Sequence, residues 1–274
     1  GRAQVPLPNG LRQSFRVAGL SHALAASGFH LSVLLGSALA LSRRWRSAYR
    51  LGFAAGALLL FLCLAGAQPS VVRAVVMGAA ALLIRESGDR GKPFGLLLLS
   101  LSGMLLMHPA WAGSIGFQLS AAATAGLILT APRLEEAFRS WFPVRCQFFA
   151  PALAIPIAAM AWTLPLQLLH FGSTPLYAVL ANVLVAPLLA PLTLSAMVSA
   201  LLSLLLPAGW LLGVLWPVQQ LAGLLIALVS WISNWPGAQL LTGHPQPWVV
   251  LLFALGLLPW LLKGSGGMRG FAVL

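Results

Sequence analysis

Between residues 51 and 66 the chain carries no charged side chain, and between 70 and 84 only one, Arg73. Similar runs recur near 15–42, 94–107, 112–130, 147–169, 175–206, 210–233 and 247–262. A hydrocarbon core about 30 Å thick is crossed by about 20 helical residues. Only 7% of the residues are charged, against roughly 25% in soluble globular domains. Barrel strands would instead show roughly ten-residue stretches of alternating polarity. The chain therefore reads as all-α, a polytopic helical integral membrane protein with about nine membrane segments, some broken or kinked by proline.

The charges that remain are one-sided, with sixteen Lys and Arg against four Asp and Glu. They fall in alternate loops. Segments 43–50, 85–92 and 131–146 hold most of the basic residues, whereas 67–69, 108–112, 170–174 and 235–246 hold none. The positive-inside rule then places the basic loops in the cytoplasm and the start of the chain outside. The run 175–206, interrupted by Pro187 and Pro191, is the weak point; a turn inside the membrane there would reverse the C-terminal end. Arginine-rich loops also suit polyanions, because the guanidinium fork matches phosphate oxygens. Within 132–145, Leu134, Phe138, Trp141 and Phe142 fall on one helical face, opposite Glu135, Glu136 and Arg139. That spacing predicts an amphipathic helix lying in the interface. Pro69, after Gly66-Ala67-Gln68, suits the start of a helix that closes a tight membrane hairpin.

The stretch Phe15 to Gly36 is apolar enough to span, yet it carries His22, Ser27, Gly28 and His30. A Ser-Gly-aromatic-His step of this kind is where membrane helices break, pack closely or line a polar path. Residues 1–14 form an approach segment, 15–262 the membrane domain and 263–274 a linker-like tail. The absence of an initial methionine and the glycine-rich end lead us to expect an excerpt of a longer protein.

Two stretches resemble the signatures of ComEC-type competence proteins. One is AGLSHALAASGFHLSVLLG, with Gly19, His22, Ser27, Gly28 and His30 in register; the other is Pro69-Ser70-Val71-Val72-Arg73-Ala74-Val75-Val76-Met77. Gly116-Phe117-Gln118-Leu119-Ser120 and Leu180-Ala181-Asn182-Val183-Leu184, with Pro187, resemble two later blocks of that family. Phe29 replaces an aliphatic residue and Ala25-Ala26 a bulkier pair. The resemblance implies a channel for single-stranded DNA in the bacterial inner membrane, used in natural transformation. It also implies a DNA-receptor protein outside and an ATP-driven translocase in the cytosol. Full members add an OB-like and a metallo-β-lactamase-like domain, but no His-x-His-x-Asp-His motif occurs here. No nuclease activity, enzyme activity, cofactor or metal is therefore expected, and Gly88–Pro93 lacks the spacing of a phosphate loop.

Arg73 lies near the start of an apolar run, where an arginine costs at least about 2.5 kcal/mol. It either snorkels to the interface or faces a lumen where phosphates neutralise it. His22 and His30, eight residues apart, share a helix face if the helix is continuous. Without a third ligand they suit polar lining better than a metal. Gln118 and Asn182 are amides within spans, suited to bonds between helices or to substrate contact. Gly28, Ser32 and Gly36 form a small-residue packing seam, as do Gly52 and Gly56. The expected function is sequence-independent DNA passage, with the lipid bilayer and DNA as partners and a homo-oligomer left open. A small-solute or ion permease and a lipid-acting membrane enzyme are the alternatives; no carboxylate lies in a span to serve either one.

Overall fold

The computed structural model describes residues 7–25, 27–87, 92–207, 210–243 and 245–262. The tail 263–274 and the glycine segment 88–91 lie outside them. Eleven α-helices are described. They are α1 (Asn9–Val17), α2 (Gly28–Leu41), α3 (Ser47–Ala65), α4 (Pro69–Ser87), α5 (Pro93–Met107), α6 (Ile115–Leu129), α7 (Ala131–Trp141), α8 (Phe149–Phe171), α9 (Ala178–Leu205), α10 (Leu211–Ser233) and α11 (Pro247–Leu262). Two short strands, β1 (Ser173–Pro175) and β2 (Gln239–Leu241), complete the set.

Among the described residues, four helices are long and apolar enough to cross a bilayer: Ser47–Ala65, Phe149–Phe171, Ala178–Ser203 and Leu212–Ser233. The pair α6 and α7 makes a fifth if it is one span bent by 46°. The bend follows from Pro132, which offers no N–H to the preceding turn. Shorter apolar helices occupy Gly28–Leu41, Pro69–Ile84, Pro93–Met107 and Pro247–Leu257. Thus the all-α membrane class holds, while only four or five of the expected crossings are matched by helices of spanning length.

The chain divides into two compact units, Gly1–Gly91 with Leu184–Ala238, and Lys92–Val183 with Gln239–Leu274. In the first, α2, α3 and α4 pack on one another. Their core draws Ala54, Leu58, Phe61 and Ala65 from α3 and Val71, Ala74 and Leu82 from α4, with Leu31 from α2. These are helical spacings of three and four, so each helix presents one stripe. Gly66, at φ +80°, a conformation most side chains avoid, ends α3 and lets Pro69 start α4 three residues later. Helix α1 is amphipathic: Phe15 is buried while Arg12 and Arg16 stay exposed, and it packs against α10.

In the second unit α8 is the common neighbour of α6, α7 and α11. Ala150, Ala154 and Ala158 form a fully buried small-residue stripe along α8. Opposite it, Gly126 of α6 comes so close that an added Cβ would lie 2.8 Å from the Ala158 carbonyl oxygen and from Trp162 Cδ1. Strands β1 and β2 pair antiparallel, with Ser173 opposite Leu241 and Pro175 opposite Gln239.

Two expectations change. The run 15–42 is not one helix: α1 ends at Val17, a 3₁₀ turn covers Ser21–Ala23, and α2 begins only at Gly28. At 14 residues, α2 is about 21 Å long, short of a hydrocarbon core. The run 175–206 is not interrupted at its prolines, because α9 runs for 28 residues with Pro187 and Pro191 inside it. Apolar surroundings give the backbone no better partner than its own helix, so membrane helices tolerate proline. The expected amphipathic segment is helical as α7, and it packs along α8 with Leu134 and Phe138 half-buried, leaving Trp141 exposed.

Candidate functional site

The first unit brings four of the singled-out residues to the N-terminal turn of α2. Ser27 is in extended conformation (φ −131°, ψ 168°) and occupies the N-cap position, where a serine ordinarily accepts a first-turn amide. Here it does not. Its hydroxyl bonds the His30 ring instead, with Oγ 2.9 Å from Nδ1, and no side chain caps the helix start. Gly28, the first helical residue, lies against α4, where an added Cβ would stand 3.7 Å from Ala74 Cβ and 3.8 Å from Arg73 Nη2. The guanidinium of Arg73 thus flanks the positive end of α2, and its other terminal nitrogen lies 3.5 Å from Met77 Sδ. Arg73 and His30 are both half-buried.

His30 also lines a trough of about 320 Å³ in the same unit. Its wall is mainly aliphatic, with Leu189, Leu192 and Met197 of α9 and Leu225 of α10, beside Thr193. His22 sits on the 3₁₀ turn before the break and is exposed. Because the helix is interrupted, His22 and His30 do not share a helical face. Ser32 is exposed and donates to the Gly28 carbonyl. A Cβ at Gly36, Gly52 or Gly56 would meet nothing within 4 Å, so the tight helix contact falls at Gly126 instead.

Gln118 and Asn182 belong to the second unit and behave differently. Gln118 joins two helices: its Oε1 lies 2.8 Å from His170 Nε2 at the end of α8, and its Nε2 donates to the Ala112 carbonyl at 2.8 Å. Asn182 turns inward on its own helix, donating to the Ala178 carbonyl at 2.8 Å. The sequence reading passed over His170, and its only signal was an imidazole at the end of an apolar run. Among the described residues no three His, Cys, Asp or Glu side chains cluster to hold a metal ion.

A family model described as Competence protein matches residues 4–265. Among curated proteins, ComE operon protein 3 of Bacillus subtilis (strain 168) is 28% identical over 180 residues, covering 64% of this chain and 22% of that protein. The uncharacterized protein YcaI of Escherichia coli (strain K12) is 27% identical over 202 residues, covering 67% of this chain and 26% of that protein. The chain therefore spans about a quarter of the length of these relatives. No solved structure matches. Since the family model takes in the turn at Ser27, Arg73 and the Gln118–His170 pair together, the chain belongs to the competence protein family.

Proposed function

We propose that this chain forms the membrane path by which single-stranded DNA crosses the bacterial inner membrane in natural transformation. The observation that carries the reading is the placement of Arg73 against the uncapped start of α2. A helix N-terminus presents amides without intrahelical partners and a partial positive charge. The serine that would cap those amides is engaged with His30. A guanidinium beside them adds to the same field, and both favour an anion with several oxygens, as a phosphodiester has. Contacts of this kind read the backbone and not the bases, which suits a strand of any sequence.

Membership of the competence family and the likeness to ComE operon protein 3 support the same reading. The strand would pass without chemical change. Each negative charge moved inward against a negative-inside potential costs about 2.3 kcal/mol per 100 mV. A DNA receptor outside and an ATP-driven translocase in the cytosol are therefore the partners proposed.

Transformation frequency measured beside membrane abundance tests the reading. Arg73→Ala should abolish DNA import at normal abundance. Arg73→Lys should keep part of it, because a point charge still attracts phosphate but lacks the two-pronged fork. Normal uptake by an abundant Arg73→Ala protein would remove Arg73 from the path.

A further inference from the structure

The corner between α2 and α3 gathers charge of one sign. Arg43, Arg44, Arg46 and Arg50 fall within 43–50, and no Asp or Glu precedes Glu86 in the chain. Arg43, Arg44 and Arg46 are exposed. Arg46 and Arg50 stand at the start of α3, where basic side chains oppose the helix dipole. Neither an acidic residue in the first turn nor a side-chain cap relieves that field. An anion with several oxygens does. The turn that carries the arginines is held in place. Its buried Ser42 hydroxyl donates to the Ala38 carbonyl at 2.7 Å, and the Trp45 amide donates to the Ser42 carbonyl at 2.9 Å.

The aromatic side chains of the corner indicate which anion fits. The exposed Trp45 folds back along α3, its ring 5.3 Å from that of Phe53. Phe53 lies about 9 Å along the axis from the first residue of α3. Tyr49, Phe53, Leu60 and Leu64 make an exposed stripe on a different face from Ala54, Leu58, Phe61 and Ala65, which pack in the core. Helix α3 has the length and composition to cross a bilayer. Its 19 residues measure about 28 Å, so the ends of such a crossing lie at headgroup level. Cations at the end of a span, with aromatic rings just inside it, complement a molecule with an anionic head and an acyl body. A single-stranded nucleic acid would instead need rings turned to water for its bases to stack on.

We propose that the α2–α3 corner binds an anionic phospholipid, with Arg43, Arg44 and Arg46 on the headgroup phosphate and Trp45, Tyr49 and Phe53 along the upper acyl chains. The positive-inside rule puts this loop at the cytoplasmic leaflet, which carries a negative surface potential. The site does not depend on strand passage beside Arg73.

Quenching of Trp45 by brominated lipids tests this with the whole chain in phosphatidylcholine bilayers. The Trp45 emission is the difference between the unaltered protein and Trp45→Phe. Brominated phosphatidylglycerol should quench it half-maximally at about a tenfold lower mole fraction than brominated phosphatidylcholine does. Replacing three arginines together, Arg43→Gln, Arg44→Gln and Arg46→Gln, should abolish that difference. In case the triple variant does not fold, Arg44→Gln alone should reduce the difference about twofold. Equal quenching by the two lipids in the unaltered protein, or a preference untouched by loss of the arginines, would overturn the lipid site. Absence of quenching by either lipid would show protein against the ring and overturn it too. Loss of the phosphatidylglycerol preference under saturating oligo-dT would assign the patch to nucleic acid and overturn the proposal.

Discussion

Replacing Gly126 by alanine should be among the most damaging single-methyl additions in the second unit. The added Cβ would sit 2.8 Å from the Ala158 carbonyl oxygen and 2.8 Å from Trp162 Cδ1, closer than such atoms come at rest. One of these is backbone, so relief requires α6 and α8 to separate. Overpacking of this kind costs about 1–3 kcal/mol, and a backbone obstacle places it at the upper end. Displacing Trp162 also strains its 2.8 Å bond to Thr130 Oγ1, which is worth about 0.6–1.7 kcal/mol in a membrane protein. Against this stands the helix preference for alanine over glycine, about 1 kcal/mol. The net expectation is a loss of about 2–3 kcal/mol. Gly56→Ala provides the contrast, since its Cβ would meet nothing within 4 Å and only the gain of about 1 kcal/mol applies. Unfolding in mixed SDS micelles, followed by tryptophan fluorescence, compares the two. Equal midpoints, or a higher midpoint for Gly126→Ala, would refute the close approach of α6 and α8.

Two further outcomes are expected. Gln118→Leu and His170→Leu should each destabilise by about 0.6–1.7 kcal/mol. The double variant should lose little more than either single one, because the two share one bond; full additivity would show the bond to be idle. In a protein whose exposed Cys63 and Cys146 are replaced by serine, a cysteine at Arg44 should react only with a cytoplasmic thiol reagent and one at Ala110 only with an external reagent. Labelling of both from the same side would overturn the arrangement based on loop charge.

The amino-acid sequence alone determined where helices form, because apolar runs in a medium without water leave the backbone no partner outside its own helix. Pro69 starting α4 was legible because proline acts locally, through its fixed φ and missing N–H, whereas the step at Ser27-Gly28 stood out without showing that the helix breaks there. The Arg73 position could be picked out because a charge in an apolar run is expensive wherever its neighbours are. Tertiary structure decided which residues meet. Gly36, Gly52 and Gly56 look as suitable for close packing as Gly126, yet only Gly126 faces a backbone atom of another helix. That choice depends on helix rotation, which one helix cannot specify. Gln118 and Asn182 are both amides in apolar surroundings, but one finds His170, 52 positions away, and the other its own preceding turn. The ribbon that pairs residues 173–175 with 239–241 left no pattern in either three-residue segment, since strands that short carry no period. The turn at Ser27 combines both kinds of information. Its residues marked it as special, but only the fold turned the serine hydroxyl to His30 and set Arg73 beside the helix start it would have capped.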